Sequence, residues 1–199
     1  MSAVIAGALL FGMGIAALMG IITAEALYPA GYTTGGSEIS DLGATRPPDS
    51  IIHQPSASIF NSVMMVGGVF TIVAAFFLYR AFRRTVPAVL LGLFGLGVLG
   101  VGVFPGDHEP AHSVFALMTF VTGGLAAIAA YMVETSPFRY YSVLLGTVAL
   151  VSIILYAALG DANPMAGLGN GGIERWVTYP ILLWVTGFGG HLMARGPSR

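Results

Sequence analysis

The chain contains neither cysteine nor lysine, and it is poor in charge of either sign. Of its 199 residues, 56% are hydrophobic and only 9% are charged, and the mean hydropathy is +0.84. The lack of cysteine excludes disulfides and thiolate metal sites, and the lack of lysine excludes Schiff-base chemistry and a P-loop lysine. A soluble domain is about one quarter charged, so we expect most of this surface to face lipid. The net charge of −1 offers no basic footprint for nucleic acid.

Six apolar runs are long enough to cross a bilayer, which takes about 20 residues. They predict an all-α integral membrane protein, a single six-helix membrane domain over residues 1–199, with a long outer loop at residues 28–58. The predicted helices are 3–27, 59–79, 86–104, 112–133, 142–159 and 176–194.

The arginines predict how this bundle is oriented, because cytoplasmic loops of membrane proteins are enriched in them. Arg46 and Arg175 fall on one side, and the other six fall on the opposite side. We therefore expect both termini in the cytoplasm and a multi-pass protein of the plasma membrane. Most of the acids then lie on the outer side, although they were not used to set the orientation. The six inner arginines are Arg80, Arg83, Arg84, Arg139, Arg195 and Arg199.

Glycine patterns in the chain favour helix packing over nucleotide binding. Ala8, Gly12, Ala16 and Gly20 form a small-xxx-small stripe that predicts close helix contacts. Two GxGxxG matches occur, one inside a membrane helix and one in "GLGNGG", which we interpret as a flexible outer loop. Neither follows a strand and opens a helix, so we expect no nucleotide cofactor.

Polar residues concentrate in three outer segments, each at the junction of a loop with a helix end. The first is "GGSEISDLGATRPPDS" (35–50), which continues to His53; the second is "GDHEPAH" (106–112); the third is "GGIERWVTYP" (171–180). In a six-helix bundle these segments are predicted to converge on one outward-facing cavity.

The histidines of these segments allow two interpretations. His108 and His112 are four residues apart, and His53 supplies a third imidazole, so the three predict an open zinc site completed by water. Asp41 would then add a carboxylate ligand or a hydrogen bond to the bound water. In the alternative, "GDHEPAH" is a turn and helix start, in which Pro110 occupies the first helical turn and a carboxylate favours the helix dipole.

The charged pair Glu174–Arg175 precedes the predicted sixth helix. Adjacent residues on a helix do not face each other, so each is expected to have a partner elsewhere. Arg175 would pair with Asp41, Glu38 or a substrate phosphate; the alternative is a charge pair that fixes the loop. Arg46 would bind an anionic lipid head group or face water.

Several segments resemble a known family of archaeal and bacterial membrane proteins, the domain of unknown function 998 (DUF998). The resemblance is carried by "SEISDLGA", "IFNSVMMVGG", "GLGVLGVGVFPGDHEPAHSVFALMTFVTGG" and "ERWVTYPILLWVTGFGGHL". It implies the fold but no settled activity. A more distant likeness to DRAM-type and GPI-lipid-remodelling families favours lipid as a ligand. The positions that match the family pattern are Ser40, Asp41, Leu42, Gly43, Asn61, Gly102, Phe104, Pro105, His112, Glu174 and Arg175; His53 and His108 do not belong to it.

These observations favour a lipid head-group enzyme or a lipid-binding protein with membrane lipids as partners. His112 would be the acid or base, Asp41 its orienting partner and Glu174 a second carboxylate. Ser40, Arg46 and Arg175 would bind the substrate. The alternatives are a small transporter or channel, and a non-catalytic accessory subunit that associates with other membrane subunits or with itself.

Overall fold

The computed structural model describes residues 1–195, and every regular element in that range is helical. This confirms the all-α bundle; Arg199 lies outside the described residues. Short 3-10 turns occur at Ser40–Leu42, Ala130–Met132, Gly160–Ala162 and Ala166–Leu168. The long helices are α1 (Ser2–Ala26), α2 (Ser56–Phe82), α3 (Thr85–Val103), α4 (Ala111–Ala129), α5 (Phe138–Leu159) and α6 (Gly169–Ala194).

Five of the six helices are long and apolar enough to cross a membrane. They are α1, α2, α3, α4 and α5. The span that contains α4 also includes the 3-10 turn that follows it, up to Met132. The sixth predicted span, α6, is a long helix of the bundle but is not among these five. α6 has 26 residues, but it carries Glu174, Arg175 and His191. It also buries much of its surface against other helices. Only part of α6 would therefore face lipid, so it does not have to be apolar on all sides.

The helices form a ring in which each packs against the next, and α6 closes the ring against α1. Glycine permits the tightest approaches, because Gly7 and Gly14 of α1 face α6 and would each meet its atoms if they carried a Cβ. Of the two glycines in the predicted small-xxx-small stripe of α1, only one lies at a close helix contact. Gly20 faces Val63 of α2, whereas Gly12 has open space beside it.

The start of α6 differs most from prediction. The helix begins at Gly169, so residues 169–172 of the "GLGNGG" segment form its first turn, and the two residues before them belong to a 3-10 turn in place of the predicted loop. The long first loop lies directly over this turn: the Gly172 N–H donates to the Gly35 carbonyl at 3.2 Å. A Cβ on Gly171 would overlap the Ser37 carbonyl oxygen. Glycine is therefore needed here for close packing, although its helix propensity is low.

The opposite end of the ring contains a buried acid. Glu134 accepts a hydrogen bond from the Ser142 hydroxyl at 2.8 Å, and burial raises the pKa of Glu134 to about 7. Arg195 donates to the neighbouring Val133 carbonyl. This end also carries Arg80, Arg83, Arg84 and Arg139, so the arginines separate between the two ends as predicted.

Candidate functional site

Arg175 fixes the first loop to the start of α6. Its side chain is 6% exposed and makes five polar contacts. One guanidinium nitrogen donates to three backbone carbonyls, and the other donates to a phenol and approaches a carboxylate. The acceptors are the carbonyls of Thr34 (2.7 Å), Ser37 (3.0 Å) and Gly171 (3.0 Å), the Tyr32 hydroxyl (2.8 Å) and the Glu25 carboxylate (3.5 Å).

These contacts agree with the alternative given for Arg175, a charge pair that fixes the loop. Its acidic partner is Glu25 at the end of α1, in place of Asp41, Glu38 or a phosphate. Because α6 begins seven residues earlier than predicted, Arg175 lies within the helix and turns toward α1 and the loop. Tyr32 completes the arrangement: burial raises its pKa, so it stays a neutral phenol that donates to the Glu38 carbonyl at 3.0 Å.

Glu174 turns to the opposite side of α6. Its carboxylate accepts a hydrogen bond from the Ile39 backbone N–H, and its remaining surface faces two cavities of the bundle. The prediction that Glu174 and Arg175 have separate partners is confirmed.

Asp41 supports the turn in which it lies. Its carboxylate accepts the Glu38 N–H at 2.8 Å and so closes the 3-10 turn Ser40–Leu42. Burial raises the pKa of Asp41, and the Glu38 hydrogen bond opposes that effect. The contacts of Asp41 are thus those of a capping residue.

His112 lies in the first turn of α4 and is 1% exposed. Its Nδ1 is 2.8 Å from the Phe104 carbonyl oxygen. A carbonyl can only accept, so Nδ1 carries a hydrogen, and in the neutral imidazole Nε2 is then the acceptor. Within residues 1–195, this buried Nε2 has no hydrogen-bond partner. The orienting partner of His112 is therefore the Phe104 carbonyl, and the predicted Asp41 contact is not formed.

The structure does not bring the three predicted metal ligands together. His108 is exposed, with its Nδ1 2.9 Å from an Asp107 carboxylate oxygen. His53 packs edge-on against Tyr28 at a ring-centroid distance of 4.8 Å. No group of three histidine, aspartate or glutamate side chains within the described residues is placed to hold a metal ion. The predicted zinc site thus lacks its ligand set, because each histidine is directed to a different partner.

A chamber of about 290 Å³, lined by both polar and apolar side chains, lies at the end of the ring opposite to Glu134, between the first loop and helices α4, α5 and α6. A smaller cavity of about 60 Å³ lies in the centre of the ring and is mostly apolar. Ala116, Phe120 and Glu174 line both, so the two spaces are adjacent. The polar residues of the chamber are Glu38, Ser40, Arg46, His112, Ser113, Tyr156, Asn170 and Glu174.

Arg46 forms part of the rim of this chamber. It lies 3.1 Å from a Glu38 oxygen and 3.3 Å from a Glu109 oxygen, and so connects the first loop to the turn before α4. Its side chain is 48% exposed, so each pair contributes little stability by itself.

The family model described as "Protein of unknown function (DUF998)" matches residues 3–191. The chain belongs to the DUF998 family. No curated protein and no solved structure shows significant similarity to it.

In this DUF998 protein, the segments that carry the resemblance meet at one end of the ring. Ser40, His112 and Glu174 line the same chamber, whereas Asp41 and Arg175 are engaged in holding the loop. The sequence analysis did not identify Tyr32, which contacts Arg175, or Asn170, which lines the chamber, because neither residue belongs to a recognisable motif. Glu25 did carry a signal, because it is the only acid in the first apolar run.

Proposed function

We propose that this DUF998 protein is a multi-pass protein of the plasma membrane that binds a lipid or a similar amphiphile from the outer side. The observation that carries the proposal is the adjacency of a chamber that has polar groups on part of its wall and a smaller apolar cavity, with Glu174, Ala116 and Phe120 at their boundary. An amphiphile needs this combination, because its head group requires hydrogen bonds and its chain requires an apolar wall.

The sizes of the two spaces support a single-chain ligand. Small-molecule sites typically have volumes of about 300–1,000 Å³. The chamber of about 290 Å³ is close to that range and suits a head group, and the narrow central cavity of about 60 Å³ suits the first part of one chain.

Lateral access supports lipid over a water-soluble ligand. Leu117 of α4 and Tyr156 of α5 line the chamber and are 56% and 40% exposed on the side of the bundle. α5 is the most loosely packed helix, with only Ser142, Gly146, Ala149 and Ser152 buried. We therefore propose that a ligand in the surrounding bilayer enters between α4 and α5.

The chamber retains two of the three groups for which catalytic roles were predicted. His112 offers an unpaired basic nitrogen, and Glu174 offers a carboxylate in a low-dielectric site. Asp41 is engaged in its own turn. Any acid–base chemistry on the bound amphiphile would therefore depend on His112 and Glu174.

The test introduces bulk at the boundary of the two cavities. We expect native mass spectrometry of the protein purified in mild detergent to show a retained lipid of defined mass. Ala116→Phe fills the junction and should abolish retention. Val114→Phe is the matched control, because Val114 lies on the same helix but faces outward and lines neither cavity.

Thermal melting of both variants verifies that they fold. Equal retention by Ala116→Phe and the native protein, or no retained lipid in the native protein, would contradict the proposal.

A further inference from the structure

We infer that the chamber takes an uncharged head group with two or more hydroxyl groups, a glycerol or a sugar, as the polar part of the amphiphile; this rests on the proposed function. The grounds are a chamber wall whose charges balance, a mixture of hydrogen-bond donors and acceptors that are not used elsewhere, and a buried serine hydroxyl without a partner.

The charged side chains that line the chamber balance one another. Arg46 is the one arginine among the described residues of the wall, and its Nη2 lies 3.1 Å from a Glu38 oxygen. Burial, and after it the charge of Glu38, raise the pKa of Glu174 to about 8, so Glu174 is mostly protonated at neutral pH. With His112 as the neutral imidazole, the wall has no net charge that would attract an ammonium or a phosphate group. A phosphate at Arg46 would also lie close to the carboxylates of Glu38 and Glu109.

The wall offers both donors and acceptors to a ligand. Arg46 keeps its Nη1, because its two ion pairs use Nη2 and Nε. Glu174 uses one carboxyl oxygen for the Ile39 N–H, and the rest of the group faces the cavities. The side chains of Tyr156 and Asn170 line the chamber and make no hydrogen bond with the described residues. A hydroxyl group both donates and accepts, so it matches this mixture, whereas an ammonium group only donates and a phosphate mainly accepts.

Ser40 supplies a second observation that points to a hydroxylated ligand. Its side chain is 7% exposed and lines the chamber, yet its hydroxyl has no hydrogen-bond partner among the described residues. Buried polar groups are normally hydrogen-bonded. The Ser40 oxygen is not fully enclosed, unlike the Nε2 of His112, so a group in the chamber can reach it. A ligand hydroxyl would satisfy Ser40 as donor, as acceptor or as both.

The experiment compares ligands that share a dodecyl chain and differ in head group. Purified full-length protein in an amine-oxide detergent, which has no hydroxyl group, is titrated with dodecylglycerol, dodecyl glucoside, dodecanol, dodecyl phosphate and dodecylamine. Binding is followed by the shift in melting temperature. We expect the better of the two polyols to bind about tenfold tighter than each of the other three ligands, as one or two further hydrogen bonds allow. Which polyol binds better then identifies the head group as glycerol or sugar.

The outcomes separate the two proposals. If dodecanol, dodecyl phosphate or dodecylamine binds as tightly as the better polyol, the hydroxyl assignment is wrong but an amphiphile site remains. If none of the ligands produces a saturable shift, both proposals are wrong. If free glycerol or free glucose binds as tightly as its dodecyl derivative, the hydroxyl assignment stands and the amphiphile is wrong.

Removal of single hydroxyls from the wall locates the head group. Ser40→Ala and Tyr156→Phe should each weaken binding of the polyol about fivefold, as loss of one hydrogen bond allows. Neither hydroxyl bonds to a described residue, so both ligand-free variants should melt close to the native protein. Ser62→Ala and Tyr131→Phe are the matched controls, because Ser62 and Tyr131 are exposed and line no part of the chamber. A loss in either chamber variant relative to its control supports the assignment, and native affinity in both contradicts it.

Discussion

At the scale of single residues, Arg175 and Glu174 show how neighbouring side chains divide between structure and ligand. Arg175 binds the loop over α6, and Glu174 faces the cavities on the other side of the helix. The sequence predicted that the two side chains would have different partners, because adjacent residues on a helix point in different directions. The sequence could not predict the partners themselves. Three of the acceptors of Arg175 are backbone carbonyls, which every residue has, so no residue type indicates them.

Because Arg175 holds the first loop on α6, we expect even the conservative substitution Arg175→Lys to destabilise the protein strongly. Arg175→Lys keeps the charge but loses the planar fork that reaches three carbonyls and Tyr32. We expect a loss of about 2 kcal/mol or more in unfolding free energy, because buried acceptors are left unpaired. Arg84→Lys is the control, because Arg84 is exposed between α2 and α3. Similar melting temperatures for the two variants in detergent would show that Arg175 is not an anchor.

Glu134, at the arginine-rich end of the ring, predicts a pH dependence of stability. Burial raises its pKa from 4.5 to about 7, so between these values the unfolded chain has lost a proton that the folded chain retains. Stability should therefore fall as pH rises from about 5 to about 7, with a slope of up to about 1.4 kcal/mol per pH unit, and level off above that.

The measurement for Glu134 is the melting temperature in detergent across that pH range. Glu134→Gln stays uncharged and keeps an oxygen for the Ser142 hydroxyl, so its profile should be flatter than that of the native protein. Parallel profiles for the two proteins would rule out Glu134 as the source of the dependence.

At the scale of elements, hydrophobicity alone located the six helices but misplaced the start of α6. The predicted helix began at residue 176, and the observed one begins at Gly169. Glycine-rich sequence usually indicates a loop. Here the glycines allow the first loop to lie on the helix backbone, a tertiary contact that local propensity cannot anticipate. Because the helix begins early, Glu174 and Arg175 lie within it and not before it. The wrong helix start therefore also gave a wrong position for these two site residues.

The contact between the first loop and α6 predicts opposite effects of one substitution at two glycines. Gly171→Ala introduces a Cβ that overlaps the Ser37 carbonyl oxygen, so we expect the loop to be displaced and amphiphile binding to weaken. Gly12→Ala in α1 adds a methyl group in open space, and should leave stability unchanged or raise it by up to about 1 kcal/mol.

Hydrogen exchange of residues 32–44 reports the expected displacement directly. Faster exchange in Gly171→Ala than in Gly12→Ala is the expected result. Equal exchange in the two variants would show that the loop does not depend on this close approach.

At the scale of the whole molecule, the ring has two chemically different ends. One end holds most of the arginines, and the other holds most of the carboxylates, His112 and the chamber. Composition and the positive-inside rule predicted this separation, because both depend on the solvent around each segment and not on side-chain contacts. The chamber itself depends on which side chains converge. The sequence identified the three segments that meet there, but not that His53, His108 and His112 would each contact a different partner.

The absence of cysteine makes the orientation directly testable. Asp49→Cys lies in the first loop and Arg84→Cys lies between α2 and α3, at opposite ends of the ring, and both positions are exposed. If the arginine-rich end is cytoplasmic, a membrane-impermeant maleimide should label Asp49→Cys in intact cells and Arg84→Cys only after permeabilisation. The reverse pattern would place the chamber in the cytoplasm and contradict uptake of a ligand from the outer side. Labelling of both positions in intact cells, at rates typical of a soluble thiol, would contradict the membrane-spanning arrangement itself.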